Sequence, residues 1–366
     1  VQTNFQGLIF DAAYKLGIRD LDVETGYQAA LKNELEYHGR HLGTGKYDLS
    51  YIVKNGYVPY KETVISNGWV FNVGASHTLE YAFSSYAVGQ MAKKMGDSVN
   101  YERLAAQAGY WQNLFDKETG LIRPKFESGE FIPDFDPNKA WDGFQEGNAY
   151  QYTWYVPHDI AGLMEAVGHD LFNERLEQMF TDAQKTVFGG GKEIHSFSGV
   201  EMLYNHGNQP CLHNAWLFNY SGRPWLTQKW TRTICNEFYG TEPLHGYGYG
   251  QDEDQGQLGA WFVMASLGLF DVQGHANADP SFQFGSPLFE KVTLKLNGDP
   301  EKILTINAED QSPENLYIQD LDLNGDSISN CWIPRKELMH GGTLTFRMGP
   351  DPNQEWGVGE PPPSMN

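Results

Sequence analysis

Apolar positions along this chain fall into two regimes. From about residue 70 to 272 they recur with the period of a helix. Leu79, Phe83, Ala87, Met91 and Met95 are spaced by four, and Gly96 follows as a helix-ending residue. Tyr101, Leu104, Ala105, Ala108, Trp111 and Phe115 form a second stripe, which stops at Asp116 and Lys117. The pattern predicts further helices near 25–37, 159–167, 170–187, 211–221, 225–238 and 255–269. Turn chemistry such as Ser221-Gly222-Arg223-Pro224 separates them. Successive helices with long Gly-, Pro- and aromatic-rich loops point to a helical toroid.

From about residue 281 the period drops to two. Val292, Leu294 and Leu296 alternate with Thr293, Lys295 and Asn297 before Asn297-Gly298 breaks the run. Leu316, Ile318, Leu321 and Leu323 lead into Asn324-Gly325, a hairpin signal. Leu344, Phe346 and Met348 alternate in a last strand, ahead of a Pro-rich tail. The expectation is a mainly helical region over 1–275 followed by a small antiparallel β domain over 276–366.

The 366 residues suffice for one large domain or two, and no apolar run reaches the roughly 20 residues of a membrane span. Twenty-six basic and 47 acidic residues give a net charge of −21. That balance argues against nucleic-acid and anionic-membrane partners, which need a concentrated basic surface. Ten Trp, 20 Tyr and 40 Gly in an acidic chain fit a carbohydrate-active protein, although core packing explains most of the rings. Cys211, Cys235 and Cys331 are odd in number and widely spaced, so free, buried thiols are expected.

Candidate chemistry begins at Gly246-Tyr-Gly-Tyr-Gly-Gln-Asp252-Glu253-Asp254-Gln-Gly-Gln-Leu-Gly-Ala-Trp261. Three carboxylates among glycines at a loop-to-helix junction fit a polar-substrate site, or acids that complement a helix dipole. A second acid, Glu146, stands in Gly143-Phe-Gln-Glu-Gly-Asn-Ala-Tyr-Gln-Tyr-Thr-Trp154. Apolar rings raise a carboxyl's pKa, which suits a general acid; a cap for the helix starting near 148 is the alternative. Two carboxylate loops are the minimal kit for glycoside hydrolysis. The segment His206-Gly-Asn208-Gln209-Pro-Cys-Leu-His213 offers amide oxygens and imidazoles for sugar hydroxyls or a hard cation such as calcium. His213 reads equally as a core histidine, and Trp225 as packing beneath the turn at 219–224. Glu80 reads as a first-turn acid that suits a helix dipole.

Together these segments resemble glycoside hydrolase family 92, the calcium-dependent exo-acting α-mannosidases. The resemblance rests on His77-Thr-Leu-Glu-Tyr81, Glu146-Gly-Asn-Ala-Tyr-Gln-Tyr152, Asn219-Tyr-Ser-Gly-Arg-Pro-Trp225, the Asp252 to Trp261 run and Gly285-Ser-Pro-Leu-Phe289. It implies an (α/α)6 toroid with a following β domain, and inverting removal of terminal α-linked mannose from glycans. Glu146 would be the general acid, Asp254 with Asp252 the base side, and Asn208, Gln209 and Trp225 substrate-binding residues. A calcium ion would be held by residues including Gln151 and Asn208. Where many members carry Glu, this chain has Gln209, which makes a linkage other than α-1,2 plausible. The family also implies a secreted or periplasmic enzyme, and a further N-terminal portion as partner to a chain with fewer helices than a complete toroid. Two other readings stay open: a glucoside-acting toroid glycosidase, and a carbohydrate-binding fragment without turnover.

Overall fold

The computed structural model of the chain describes residues 5–38, 45–65, 69–189, 199–240 and 256–365. They divide into two compact units: Val1–Val167 with Val200–Leu203 and Gln273–Ala278, and Gly168–Gly199 with Tyr204–Val272 and Asp279–Asn366.

The first unit is helical. It contains α1 (Gln6–Lys15), α2 (Val23–Leu35), α3 (Leu49–Asn55), the hairpin β1 (Glu62–Ile65) and β2 (Trp69–Asn72), α4 (Gly74–Met95) and α5 (Ser98–Ala108). A two-stranded ribbon of β3 (Phe115–Asp116) and β4 (Leu121–Ile122), then α6 (Ala149–Tyr152) and α7 (Ile160–Val167), complete it. Asp22 caps α2 by accepting from Thr25 N at 3.0 Å, and Asp97 caps α5 by accepting from Asn100 N at 3.1 Å. Asp97 also accepts from Tyr27 OH at 2.9 Å, tying α2 to α5. Gly96 ends α4 with φ +81°, as its spacing predicted. The stripe through 101–115 is shorter as an α-helix than expected. It tightens after Ala108 into a 3-10 stretch, Gly109–Leu114, which delivers Phe115 to β3.

α4 organises this unit. Residues 74–89 are buried with hardly a solvent-facing side, although they include Ser76, His77, Thr78, Glu80, Ser84 and Ser85. A buried polar group is tolerated only when hydrogen-bonded. Thr78 Oγ1 accepts from Val58 N at 2.9 Å, and His77 Nδ1 lies 3.1 Å from Asp48 Oδ2. Ser84 and Ser85 donate to the Glu34 carboxylate at 2.5 and 2.7 Å, and buried Lys46 completes an ion pair with it.

The second unit contains α8 (His169–Gln184), α9 (Pro224–Glu237) and α10 (Gln257–Ser266). The helix expected at 211–221 is instead two 3-10 stretches, Gln209–Cys211 and Asn214–Asn219. Every residue from 210 to 221 is buried, so no solvent-facing side exists to set one amphipathic α-helix. The β region comprises β5 (Leu269–Phe270), β6 (Ser281–Phe284), β7 (Lys291–Lys295), β8 (Ile303–Glu309), β9 (Tyr317–Leu323), β10 (Asp326–Ser327), β11 (Trp332–Pro334), the short α11 (Arg335–Leu338) and β12 (Gly342–Gly349). Three strands pair in the order β11-β6-β5 and five in the order β10-β9-β12-β8-β7.

Asn324 and Gly325 turn β9 into β10 with φ 56° and 90°, the hairpin conformation their identities predict. The five-stranded sheet is antiparallel except at its centre, where β12 runs parallel to β8 with Leu344 opposite Ile306. Leu304, Ile306, Ile318, Leu321, Leu344 and Phe346 form its core. Cys211, Cys235 and Cys331 are free and buried, as expected.

The Lys46–Glu34 pair gives a direct test of how α4 is held. Lys46→Met leaves the Glu34 carboxylate buried without its cation, and unfolding should become easier by about 3–5 kcal/mol. The double variant Lys46→Met/Glu34→Gln should recover much of that loss. Urea unfolding of the three proteins measures both, and a wild-type midpoint for Lys46→Met would remove the pair from this role.

Candidate active site

Glu146 stands on a loop that caps α4. The first N–H groups of a helix lack partners within it. Here Ala75 N and Ser76 N both donate to the Gly143 carbonyl, at 3.0 and 3.2 Å. Ser76 Oγ accepts from Gln145 N at 3.0 Å and donates to Val73 O at 2.9 Å. From the other side Tyr152 OH donates to Gln145 O at 2.7 Å, and its ring stacks on Phe144 with centroids 5.5 Å apart. Gly143 has φ +99°, and a Cβ there would meet Pro124 Cγ at 2.2 Å, so the loop's approach requires glycine.

Glu146 itself has φ 50°. For a residue other than glycine, left-handed backbone costs roughly 1–3 kcal/mol and persists where the surroundings over-determine it. The side chain is half-buried, with Gln145 Nε2 3.3 Å from its Oε1. Capping does not account for it. The N-cap of α6 is Asn148, whose Oδ1 accepts from Gln151 N at 3.1 Å. The carboxyl is thus partly open to solvent on a loop whose backbone is held at Gly143 and Gln145.

Gln151 and Asn148 sit behind the loop. The Gln151 Nε2 donates to Met202 O at 2.9 Å, and Asn148 Nδ2 to the same carbonyl at 3.0 Å. An amide oxygen such as that of Gln151 is a ligand type that calcium takes. Among the described residues no three His, Cys, Asp or Glu side chains cluster to hold a metal.

Glu80 is the residue that the sequence reading undervalued. α4 starts at Gly74, so Glu80 is its seventh residue, beyond the first turn where the dipole acts. It is 3% exposed, and its Oε2 has no hydrogen-bond partner. Burial, with the nearby charge of Glu146 adding to it, pushes its pKa up to about 8. The available signal was the polar composition of a helix too apolar to have a solvent face. Nearby Asp48 behaves oppositely. Burial opposes its ionisation, yet His77 and Lys61, the latter 2.8 Å away, hold its carboxyl below the usual range.

The other nominated residues lie in the second unit. Asn208 is buried, and its backbone brackets the 3-10 turn, with Asn208 N donating to Asn205 O at 3.0 Å and Cys211 N to Asn208 O at 2.9 Å. Gln209 and Trp225 are half-buried, and Trp225 opens α9 directly after Pro224. His213 is buried. Both ring nitrogens of His206 are engaged: Nδ1 with Tyr204 OH at 2.7 Å and Nε2 with Tyr239 OH at 2.9 Å. Tyr239 donates onward to Leu258 O, so Nε2 carries the His206 proton and Nδ1 accepts from Tyr204. Burial lowers the His206 pKa to about 3, so it is a neutral ring held between two tyrosine hydroxyls. Asp252, Glu253 and Asp254 lie outside the described residues.

Comparison with known proteins gives these loops their context. Residues 2–350 match the glycosyl hydrolase family 92 catalytic domain. A protein of Arthroderma benhamiae described as an uncharacterized secreted glycosidase is 27% identical over 395 residues, covering 99% of this chain and 47% of that protein. A family 92 α-mannosidase structure from Bacteroides thetaiotaomicron superposes with a TM-score of 0.82 at 31% identity, over 98% of this chain and 44% of that one. A family 92 inverting mannosidase from the same organism gives 0.83 at 30% identity, over 99% and 48%. The chain thus spans about half the length of these relatives, and its helical and β regions share their fold. By the match along nearly its whole length, the chain belongs to glycosyl hydrolase family 92.

Proposed function

We propose that this chain carries the acid and base of an exo-acting α-mannosidase that removes terminal α-linked mannose from glycans with inversion. The observation that carries the reading is Glu146, a half-buried carboxyl in left-handed backbone next to Gln145, whose own N–H and carbonyl are held by Ser76 and Tyr152. The α-mannosidases whose structures it resembles, one of them inverting, support the substrate and the stereochemistry. Glu146 protonates the leaving glycosidic oxygen as the bond to the anomeric carbon breaks. Asp254, helped by Asp252, takes a proton from the water that attacks the opposite face. Inversion needs the two carboxyls roughly 6.5–9.5 Å apart, enough for that water.

Asn208, Gln209 and Trp225 are proposed to contact the sugar and its leaving group. Gln209, an amide where many members carry an acid, favours a linkage other than α-1,2. Gln151 and Asn208 are proposed to offer amide oxygens to calcium, which when bound polarises and orients sugar hydroxyls. The secreted glycosidase among the relatives supports a secreted or periplasmic location.

Glu146→Gln and Asp254→Asn should each lower kcat for an aryl α-mannoside by about two to four orders of magnitude while leaving the circular dichroism unchanged. Wild-type rates in both variants would overturn the assignment. Mannose release should also stop in a chelator and return with added calcium. Rates indifferent to the chelator would remove the metal from the reading. Digestion of α-1,2, α-1,3 and α-1,6 mannobioses should show α-1,2 as a poor substrate; preference for it would remove the role given to Gln209.

A further inference from the structure

The loop that carries Glu146 is closed at its base. Trp141 N donates to Gly147 O at 3.2 Å, Ala149 N to Pro137 O at 3.2 Å, and Asn148 Nδ2 to Asn138 O at 3.3 Å. Segments 137–141 and 147–149 therefore run side by side as the neck of a short loop, with residues 142–146 as its tip. Burial divides what this loop presents. Phe144 and Gln145 are buried, whereas Trp141, Asp142 and Glu146 reach solvent. The Asp142 carboxylate accepts from Tyr60 OH at 2.5 Å and faces Lys139 Nζ at 3.2 Å, which holds it to the scaffold. An indole and a carboxyl thus stand, both partly open, where the neck closes.

The two residues share a second property. Trp141 has φ 64° and Glu146 φ 50°, both left-handed. A bulky residue in that region is a genuine outlier, and such outliers cluster where ligands are held. Trp141 keeps this conformation because it is tied on both sides. Its own N–H is bound to Gly147, and Gly143 N donates to Asn72 O at 2.7 Å. Tyr60, which holds Asp142, packs edge-on against Phe126 with centroids 5.8 Å apart, so the clamp is itself braced. A half-buried indole is thereby fixed in the same loop as the candidate acid, one hydrogen bond from the residue that follows it.

We propose that Trp141 is a substrate-binding residue that stacks on the sugar ring of the leaving group. The inference rests on the reading of Glu146 as the general acid. An acid has to reach the glycosidic oxygen, so the sugar that departs with that oxygen passes the loop bearing Glu146. One face of a mannopyranose ring is a patch of C–H groups, and the electron-rich face of an indole suits it. A Trp side chain has few rotatable bonds, and here its backbone is already fixed, so little freedom is lost on binding. The stack sets the leaving sugar against Glu146 and leaves recognition of the terminal mannose to other residues. Trp141 thus makes the site selective for glycosides whose leaving group is itself a sugar.

The test compares a leaving group that has a ring with one that does not. The best-cleaved mannobiose and methyl α-mannoside both need a proton on the departing oxygen, but only the first releases a sugar. Glycine adopts left-handed backbone freely, so Trp141→Gly removes the indole without straining the loop. Its ratio of kcat/KM for mannobiose to kcat/KM for methyl α-mannoside should fall about tenfold, the loss expected of one ring contact. Trp141→Leu keeps apolar bulk and should show the same fall, which serves if Trp141→Gly does not fold. Trp141→Phe should retain most of the ratio. If Trp141 merely shapes the loop, both substrates lose equally, and the unchanged ratio overturns the proposal. Glu146→Gln separates the two readings. If it abolishes turnover of both substrates while Trp141→Gly keeps the wild-type ratio, the acid stands and only the stacking role falls. Wild-type rates in Glu146→Gln, or no mannose released by the unaltered chain, defeat the reading of Glu146 and the proposal with it.

Discussion

A helix buried on every side cannot leave its polar side chains to solvent, and α4 is such a helix. Its hydroxyls and imidazole need partners, and each partner comes from a different stretch of chain. Glu34 and Lys46 answer Ser84 and Ser85, Asp48 answers His77, Val58 answers Thr78, and Gln145 answers Ser76. Hydrophobic burial draws these segments together without regard to orientation. The hydrogen bonds select the arrangement, because one missing partner costs the desolvation of the group left behind. The first unit is therefore held in register by the polar content of its most buried element.

The loop bearing Glu146 benefits from the same demand. The N-terminal donors of α4 have to be satisfied, and the Gly143 carbonyl satisfies two of them. That fixes the loop one residue before Phe144 and three before Glu146. The aromatic stack of Phe144 on Tyr152 and the bond from Tyr152 to Gln145 fix it again from α6. Two independent anchors leave little conformational choice, which is how a non-glycine residue is kept at φ 50°.

Much of this was legible in the sequence wherever one face of an element meets solvent. The amphipathic stripe from Tyr101 to Ala108 and the Asn324-Gly325 hairpin translate directly into structure, as does the Gly96 stop after the exposed Lys93 and Lys94. Where both faces are buried, periodicity carries no signal. Residues 211–221, whose pattern predicts one helix, fold as 3-10 turns, and Glu80, whose place near a helix start suggests a dipole-compensating acid, is a core carboxyl. The parallel pairing of β8 and β12 was equally hidden, because alternation reports which face is buried and not which neighbour a strand chooses. Of the nominated site, Glu146 stands on a loop of the first unit with Gln151 in α6 just after it, while in the second unit Asn208 and Gln209 open a 3-10 turn and Trp225 lies in the first turn of α9. Asp252 and Asp254 are known from sequence alone.

The position of β12 has a bearing on how the molecule is made. It occupies the middle of the five-stranded sheet, between β9 and β8, yet leaves the ribosome after both. Until it arrives, the pairs β7–β8 and β9–β10 are two separate hairpins, each with one bare edge facing a gap. Hairpins of this kind are marginal by themselves. Bare edges are also where nascent chains stick to one another. The five-stranded sheet is thus complete only once the strand carrying Leu344 and Phe346 has paired with both β8 and β9.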